Sequence, residues 1–130
     1  MKLTNRQMIN MHAALTAIGA KEGIDCVLGV SIARNNYELM KMTEPVNNEK
    51  EKLLDKYGKH DEKGKLVTVN GGQVVLEDAK KYNEEYERLM EAEGEVALTQ
   101  FAMSDIKKMS PTPNQIMHLL PIMAEKEKKK

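Results

Sequence analysis

The sequence predicts a mainly α fold with one β-hairpin, an α+β arrangement in which helices flank the hairpin as an elongated helical hairpin or a small bundle. Three observations carry that expectation. Apolar residues recur at three- and four-residue steps, two threonine–glutamine boxes mark helix starts, and Asn70-Gly71-Gly72 joins two short valine-rich runs. At 130 residues the chain fits a single domain over 1–130, and the charged end at 126–130 reads as a flexible lysine-rich tail.

The first helix is predicted to start at Thr4-Asn5-Arg6-Gln7, where a threonine and a glutamine three residues later can satisfy each other's backbone donors. Met8, Met11, Leu15 and Ile18 then form one apolar face, which runs out near Gly19 to Gly23. From Leu28 the pattern is a heptad seam: Leu28, Ile32, Asn35, Leu39, Met42, Val46, Glu49, Leu53 and Tyr57 alternate steps of four and three. Asn35 on that seam suits the register of a partner helix. Pro45 lacks a backbone donor and is expected to break the helix near Thr43 and Glu44, giving two shorter helical faces rather than one coiled coil.

Gly58 to Gly64 is a polar connector, and Leu66 to Val69 and Gln73 to Leu76 are the arms of the hairpin. Glu77 and Asp78 place negative charge at the start of a return helix on which Ala79, Tyr82, Tyr86, Leu89 and Glu93 follow the helical step. This would bring Tyr57 towards Tyr82 and Tyr86. Residues 96–103 suit either helix or strand, with alternation favouring strand. Thr112-Pro113-Asn114-Gln115 opens a short last helix that Pro121 should shorten.

Composition narrows the function more by exclusion than by indication. Twenty basic residues balance twenty acidic ones, so the whole chain has no field to draw it to nucleic acid or to an anionic membrane. No window approaches the ~20 apolar residues of a membrane span. The single cysteine, Cys26, rules out an internal disulfide, fits a cytoplasmic setting and, among Ile24, Val27 and Leu28, is expected to be a buried inert thiol. Ten methionines and one phenylalanine, Phe101, point to a methionine-filled core.

His12, His60 and His118 have no neighbours at metal-ligand spacing, and Gly71-Gly72 is too short to cradle phosphate. No catalytic set, metal or cofactor is therefore expected. Between Glu77 and Glu95 eight acidic residues stand against three basic ones, spreading Glu84, Glu87 and Glu91 over exposed helix faces that suit solvation or a basic partner.

Two stretches, Lys56-Tyr57-Gly58-Lys59-His60-Asp61-Glu62-Lys63-Gly64-Lys65 and Pro113-Asn114-Gln115-Ile116-Met117-His118-Leu119-Leu120-Pro121-Ile122, together with the order of elements around them, resemble small uncharacterised helical proteins of tailed phages and prophages. The resemblance lies in layout over roughly the last three quarters of the chain. Pro45 and the separate first helix depart from that pattern. It brings no functional residues, and it implies a phage protein of the host bacterial cytoplasm, active in virion assembly or against a host defence protein.

The residues and the resemblance together point to a non-enzymatic module that binds protein, by self-association or through a host or phage partner. The candidate interface is Leu28, Ile32, Asn35, Leu39, Met42, Val46, Leu53 and Tyr57, joined by Tyr82, Tyr86, Glu84, Glu87 and Glu91. The alternative is a nucleic-acid accessory protein using local lysines, chiefly Lys126 to Lys130.

Overall fold

The computed structural model describes residues 1–69 and 71–124, so the expected lysine tail lies outside the described residues. In chain order the elements are β1 (Lys2–Thr4), α1 (Asn5–Gly19), α2 (Cys26–Tyr57), β2 (Thr68–Val69), β3 (Gln73–Val74), α3 (Ala79–Glu91), β4 (Glu93–Glu95), α4 (Met103–Met109) and α5 (Pro113–Leu119), with a 3-10 turn over Leu120–Ile122. The fold is thus mainly helical with a small hairpin. The chain divides into two compact units: Met1–Thr43 with the segment from Glu93 onward, and Glu44–Ala92.

In the first unit, α1 begins at the expected capping box, with Thr4 accepting from the Gln7 N–H and the Gln7 side chain accepting from the Thr4 N–H. Its predicted face is inside: Met8, Met11, Leu15 and Ile18 are all buried. They pack in one core with Leu28, Ile32 and Leu39 of α2, Phe101, Ile106 and Met109 around α4, and Leu119 and Ile122 at the end of α5. Three residues of this core, Met8, Met11 and Met109, are methionines, as expected of a chain with so few aromatics. The Thr112–Gln115 box also forms, and α5 gives way to the 3-10 turn that holds Pro121.

Two edges close this unit. β1 pairs antiparallel with β4, Leu3 opposite Gly94. Neither three-residue strand has a sequence signature, and their pairing is long-range. Lys21 Nζ donates to the carbonyls of Met109 and Ser110 at 3.1 and 2.7 Å, capping the C-terminus of α4 with a cation.

α2 corrects two expectations. Pro45 lies inside one continuous helix rather than ending it. The missing Pro45 N–H removes one ladder bond, yet the buried residues on either side, Leu39, Thr43 and Val46, hold the backbone helical through it. Cys26 is exposed rather than buried. Asp25 caps the helix, its carboxylate accepting the N–H groups of Val27 and Leu28 at 3.2 Å each, and this cap turns Leu28 inward while Cys26 and Val27 face out.

The third correction concerns 96–103. The segment is neither strand nor helix as far as Ala102, and α4 starts at Met103. What holds it extended is a side chain: buried Asn35 donates to the Thr99 carbonyl and accepts from the Thr99 N–H, both at 2.9 Å. An amide side chain thereby takes the place of a neighbouring strand.

In the second unit, β2 and β3 form the predicted hairpin, Thr68 opposite Val74, and Gly71 and Gly72 supply positive φ at the turn. The polar connector turns out to be a third arm. Lys59 donates its N–H to the Val75 carbonyl at 2.8 Å, Val75 to Val67 at 3.0 Å, and Val67 back to Lys59 at 2.8 Å, so three segments close a ring of backbone bonds. Asp61 makes the tight turn into the second arm by accepting the N–H groups of Lys63 and Lys65 at 2.9 and 3.0 Å. α3 is capped by Asp78, which accepts from the Lys81 N–H.

Gly58 sits where α2 meets this ring. A Cβ there would stand 2.4 Å from the Leu54 carbonyl oxygen and 2.6 Å from Leu66 Cδ2, and the first of these is backbone that cannot give way. Gly58→Ala is expected to destabilise the protein by about 2–3 kcal/mol, the usual cost of overpacking a tight site. Urea unfolding of the variant against wild type checks this, and an unchanged midpoint would show that the chain relaxes around the methyl group.

Candidate functional site

Within the first unit α2 presents two unlike faces. The inner one carries the predicted seam, and the structure covers it: Leu28, Ile32, Asn35 and Leu39 are buried in the chain's own core and Met42 is half-buried against it. This part of the predicted interface is therefore not a free surface, because residues of α1, the 96–101 segment, α4 and α5 share the core with it. Leu39 in particular is fully buried and reaches no surface.

The outer face was not singled out from the sequence. Val27, Val30, Tyr37 and Met40 lie on it, with exposures of 71, 50, 56 and 43%. A signal was present: these residues recur at helical spacing, offset from the seam and interleaved with Arg34 and Lys41. The stronger seam obscured it.

This face borders two adjoining grooves whose far wall is the extended chain after β4. One, of about 460 Å³, is lined by Val30, Ala33, Arg34, Asn35, Tyr37, Glu38, Ala97 and Thr99. The other, of about 510 Å³, is lined by Met1, Glu38, Lys41, Met42, Glu95, Val96 and Ala97. Glu38 and Ala97 belong to both. Lys41 pairs with Glu38 at 3.1 Å and lies 4.9 Å from the centre of the Tyr37 ring, which neutralises that carboxylate and orients the ring. At the far end the N-terminal ammonium bonds Glu95 at 2.5 Å and holds its carboxyl below the ordinary carboxylate range.

The second unit holds the other sequence candidates. Val46 is buried, while Leu53 and Tyr57 of α2 and Tyr82 and Tyr86 of α3 are half-buried. Tyr82 and Tyr86 stack on each other, 5.7 Å between ring centres, and burial raises the Tyr82 hydroxyl above the ordinary tyrosine value, with Tyr86 adding to it. The Tyr57 hydroxyl donates to Glu85, which is not among the interface candidates read from the sequence, and Lys56 Nζ lies 3.6 Å from the same carboxylate. Glu84, Glu87 and Glu91 are exposed. An open hollow of about 630 Å³ is lined by Tyr57, Lys81, Glu84, Glu85 and Arg88, whose charges balance in sign and select no one ligand.

The Tyr57 hydrogen bond first, then Lys56, hold the Glu85 carboxyl below its ordinary value, and Tyr57 followed by Glu85 raises Lys56. A carboxylate lowered in the folded state stabilises the fold at neutral pH, and its contribution disappears as pH falls from the ordinary glutamate value of about 4.3 through the lowered one. Tyr57→Phe is expected to return the Glu85 titration midpoint towards the ordinary value and to flatten the acid-side loss of stability. NMR titration of the Glu85 side chain reads this directly, and an unmoved midpoint would exclude the hydroxyl as the cause.

Among the described residues no group of three or more His, Cys, Asp or Glu is placed to hold a metal ion. His12 Nδ1 instead lies 2.7 Å from Asn36 Oδ1, and Asn36 donates on to Thr16, a polar clasp between α1 and α2. His60 lies 3.1 Å from Asp55 at the surface. No helix among the described residues is long and apolar enough to cross a membrane. Compared with protein-family models, curated proteins and solved structures, the chain matches none.

Proposed function

We propose that the chain is a non-enzymatic protein-binding module and that its contact surface is the outer face of α2 in the first unit. The observation that carries this is the exposure of Val27, Val30, Tyr37 and Met40 on one side of one helix, next to a groove. Scattered apolar residues are ordinary on a surface, but apolar residues gathered on one helix face beside a concavity are what partner-binding surfaces share. A tyrosine and a methionine within it fit that use, one as a stiff anchor and the other as an adaptable one. The setting we propose, a phage protein acting on assembly or on a host defence protein in the bacterial cytoplasm, rests on the resemblance of the 56–65 and 113–122 stretches.

A photo-crosslinking amino acid placed at Tyr37 tests the surface in living bacteria. The expected result is a discrete adduct to a second polypeptide from position 37 and none from Lys52, which is exposed in the other unit. Val30→Asp should remove the adduct while leaving stability within about 0.5 kcal/mol, since the side chain is half exposed. Equal labelling from both positions would sink the assignment. Light scattering of the purified protein separates a self-adduct from a foreign one.

A further inference from the structure

From the same surface we infer the form of the partner: the groove between α2 and the 95–99 segment takes an extended peptide strand that carries a carboxylate, seated on Arg34. The inference rests on the protein-binding reading and adds to it what is bound.

The first ground is an open strand edge. β4 pairs with β1 along one edge, where the Val96 N–H donates to the Met1 carbonyl at 2.9 Å. In an antiparallel ladder the backbone groups of successive residues point to opposite edges, so those of Glu95 and Ala97 face away from β1, towards the groove they line. Among the described residues the Ala97 N–H and carbonyl have no hydrogen-bond partner. Two residues further along, Thr99 already has a strand-like partner in the Asn35 side chain, which bonds both its backbone groups. The edge is therefore satisfied at Thr99 and open at Ala97, and an added strand is the ligand that matches a row of such groups.

The second ground is charge. The charged groups of the 460 Å³ groove are Arg34 and Glu38; Glu38 is paired with Lys41, and Arg34 has no partner among the described residues. A guanidinium beside an apolar wall matches a planar carboxylate next to an apolar side chain, which it grips with two parallel hydrogen bonds. Val30, Ala33 and Tyr37 supply that wall.

The test presents a yeast-displayed library of random short peptides to the full-length protein. Enrichment of sequences with Asp, Glu or a free C-terminus at a fixed offset from an apolar residue is expected. A fluorescein-labelled synthetic peptide of the enriched type should bind about tenfold or more weakly to Arg34→Glu, with a smaller loss for Arg34→Lys. N-methylation of one peptide backbone nitrogen should abolish binding, the mark of a strand rather than a helix. Unchanged circular dichroism of the exposed Arg34 variants confirms that the fold is intact. Enriched peptides without an acid, or binding indifferent to N-methylation and to Arg34→Glu, would overturn the inference; if Val30→Asp still removed that binding, the α2 surface would stand without it. Absence of any binder would remove both. A dimer in light scattering that Arg34→Glu converts to monomer would replace the peptide with a second copy of this chain.

Discussion

Replacing Asn35 by leucine is expected to destabilise the protein by about 2–3 kcal/mol, although by heptad logic it should be an improvement. Asn35 occupies an apolar seam between Ile32 and Leu39, and a leucine there would complete the stripe. The folded chain uses the position differently. One amide satisfies both backbone groups of Thr99 at 2.9 Å while itself 2% exposed. Removing it leaves a donor and an acceptor without protein partners, each worth about 1–3 kcal/mol, reduced here because Thr99 lies at the surface and water can reach it. The added apolar area offsets part of the rest.

Asn35→Asp refines the same prediction. An aspartate keeps the acceptor for the Thr99 N–H but sets a carboxylate oxygen against the Thr99 carbonyl, so it should be destabilising as well, and least so at low pH where the acid can donate. Equilibrium urea unfolding gives the size of both effects, and amide exchange at Thr99 gives their location. If exchange at Thr99 in Asn35→Leu matched wild type, the amide would not be what holds the segment. Because Thr99 and Ala97 form one wall of the α2 groove, the same variant should also weaken any binding there without altering a single exposed residue.

What was legible in the sequence follows from the range of the forces involved. The capping boxes at Thr4 and Thr112, the Gly71-Gly72 turn, and the inward side of α1 and α2 are set by neighbours a few residues away, and each is where local chemistry puts it. The β1–β4 pair joins residues about ninety positions apart through strands too short to show alternation. The third arm of the ring, at Lys59, has no strand composition and exists because Val67 and Val75 offer it a donor and an acceptor. The seam was read correctly as an apolar face, but a seam records only that it is covered, and the folded chain covers it itself. The candidate surface was visible in Val27, Val30 and Tyr37, yet its outward direction depends on which of two stripes the core takes.

Pro45→Ala is expected to stabilise the protein by about 2 kcal/mol. A proline within a helix removes one N–H bond, here the one to the Lys41 carbonyl, and crowds that carbonyl, at a cost of about 3 kcal/mol relative to alanine. Roughly 1 kcal/mol returns because proline also restricts the unfolded chain. Pro45 is exposed, so alanine neither opens a cavity nor loses core packing, and Val46 beside it remains buried. The measurement is the unfolding midpoint in urea with the slope unchanged, supported by amide exchange at residue 45 itself, where alanine introduces an N–H that wild type lacks. Slow exchange there would show the restored bond directly. A variant no more stable than wild type would mean that the helix bends at Pro45 and has rebuilt its neighbouring bonds around the bend. In that case the proline is a built feature of α2 at the boundary between the two compact units, and crosslinking yields for the alanine variant at position 37 would show whether binding depends on it.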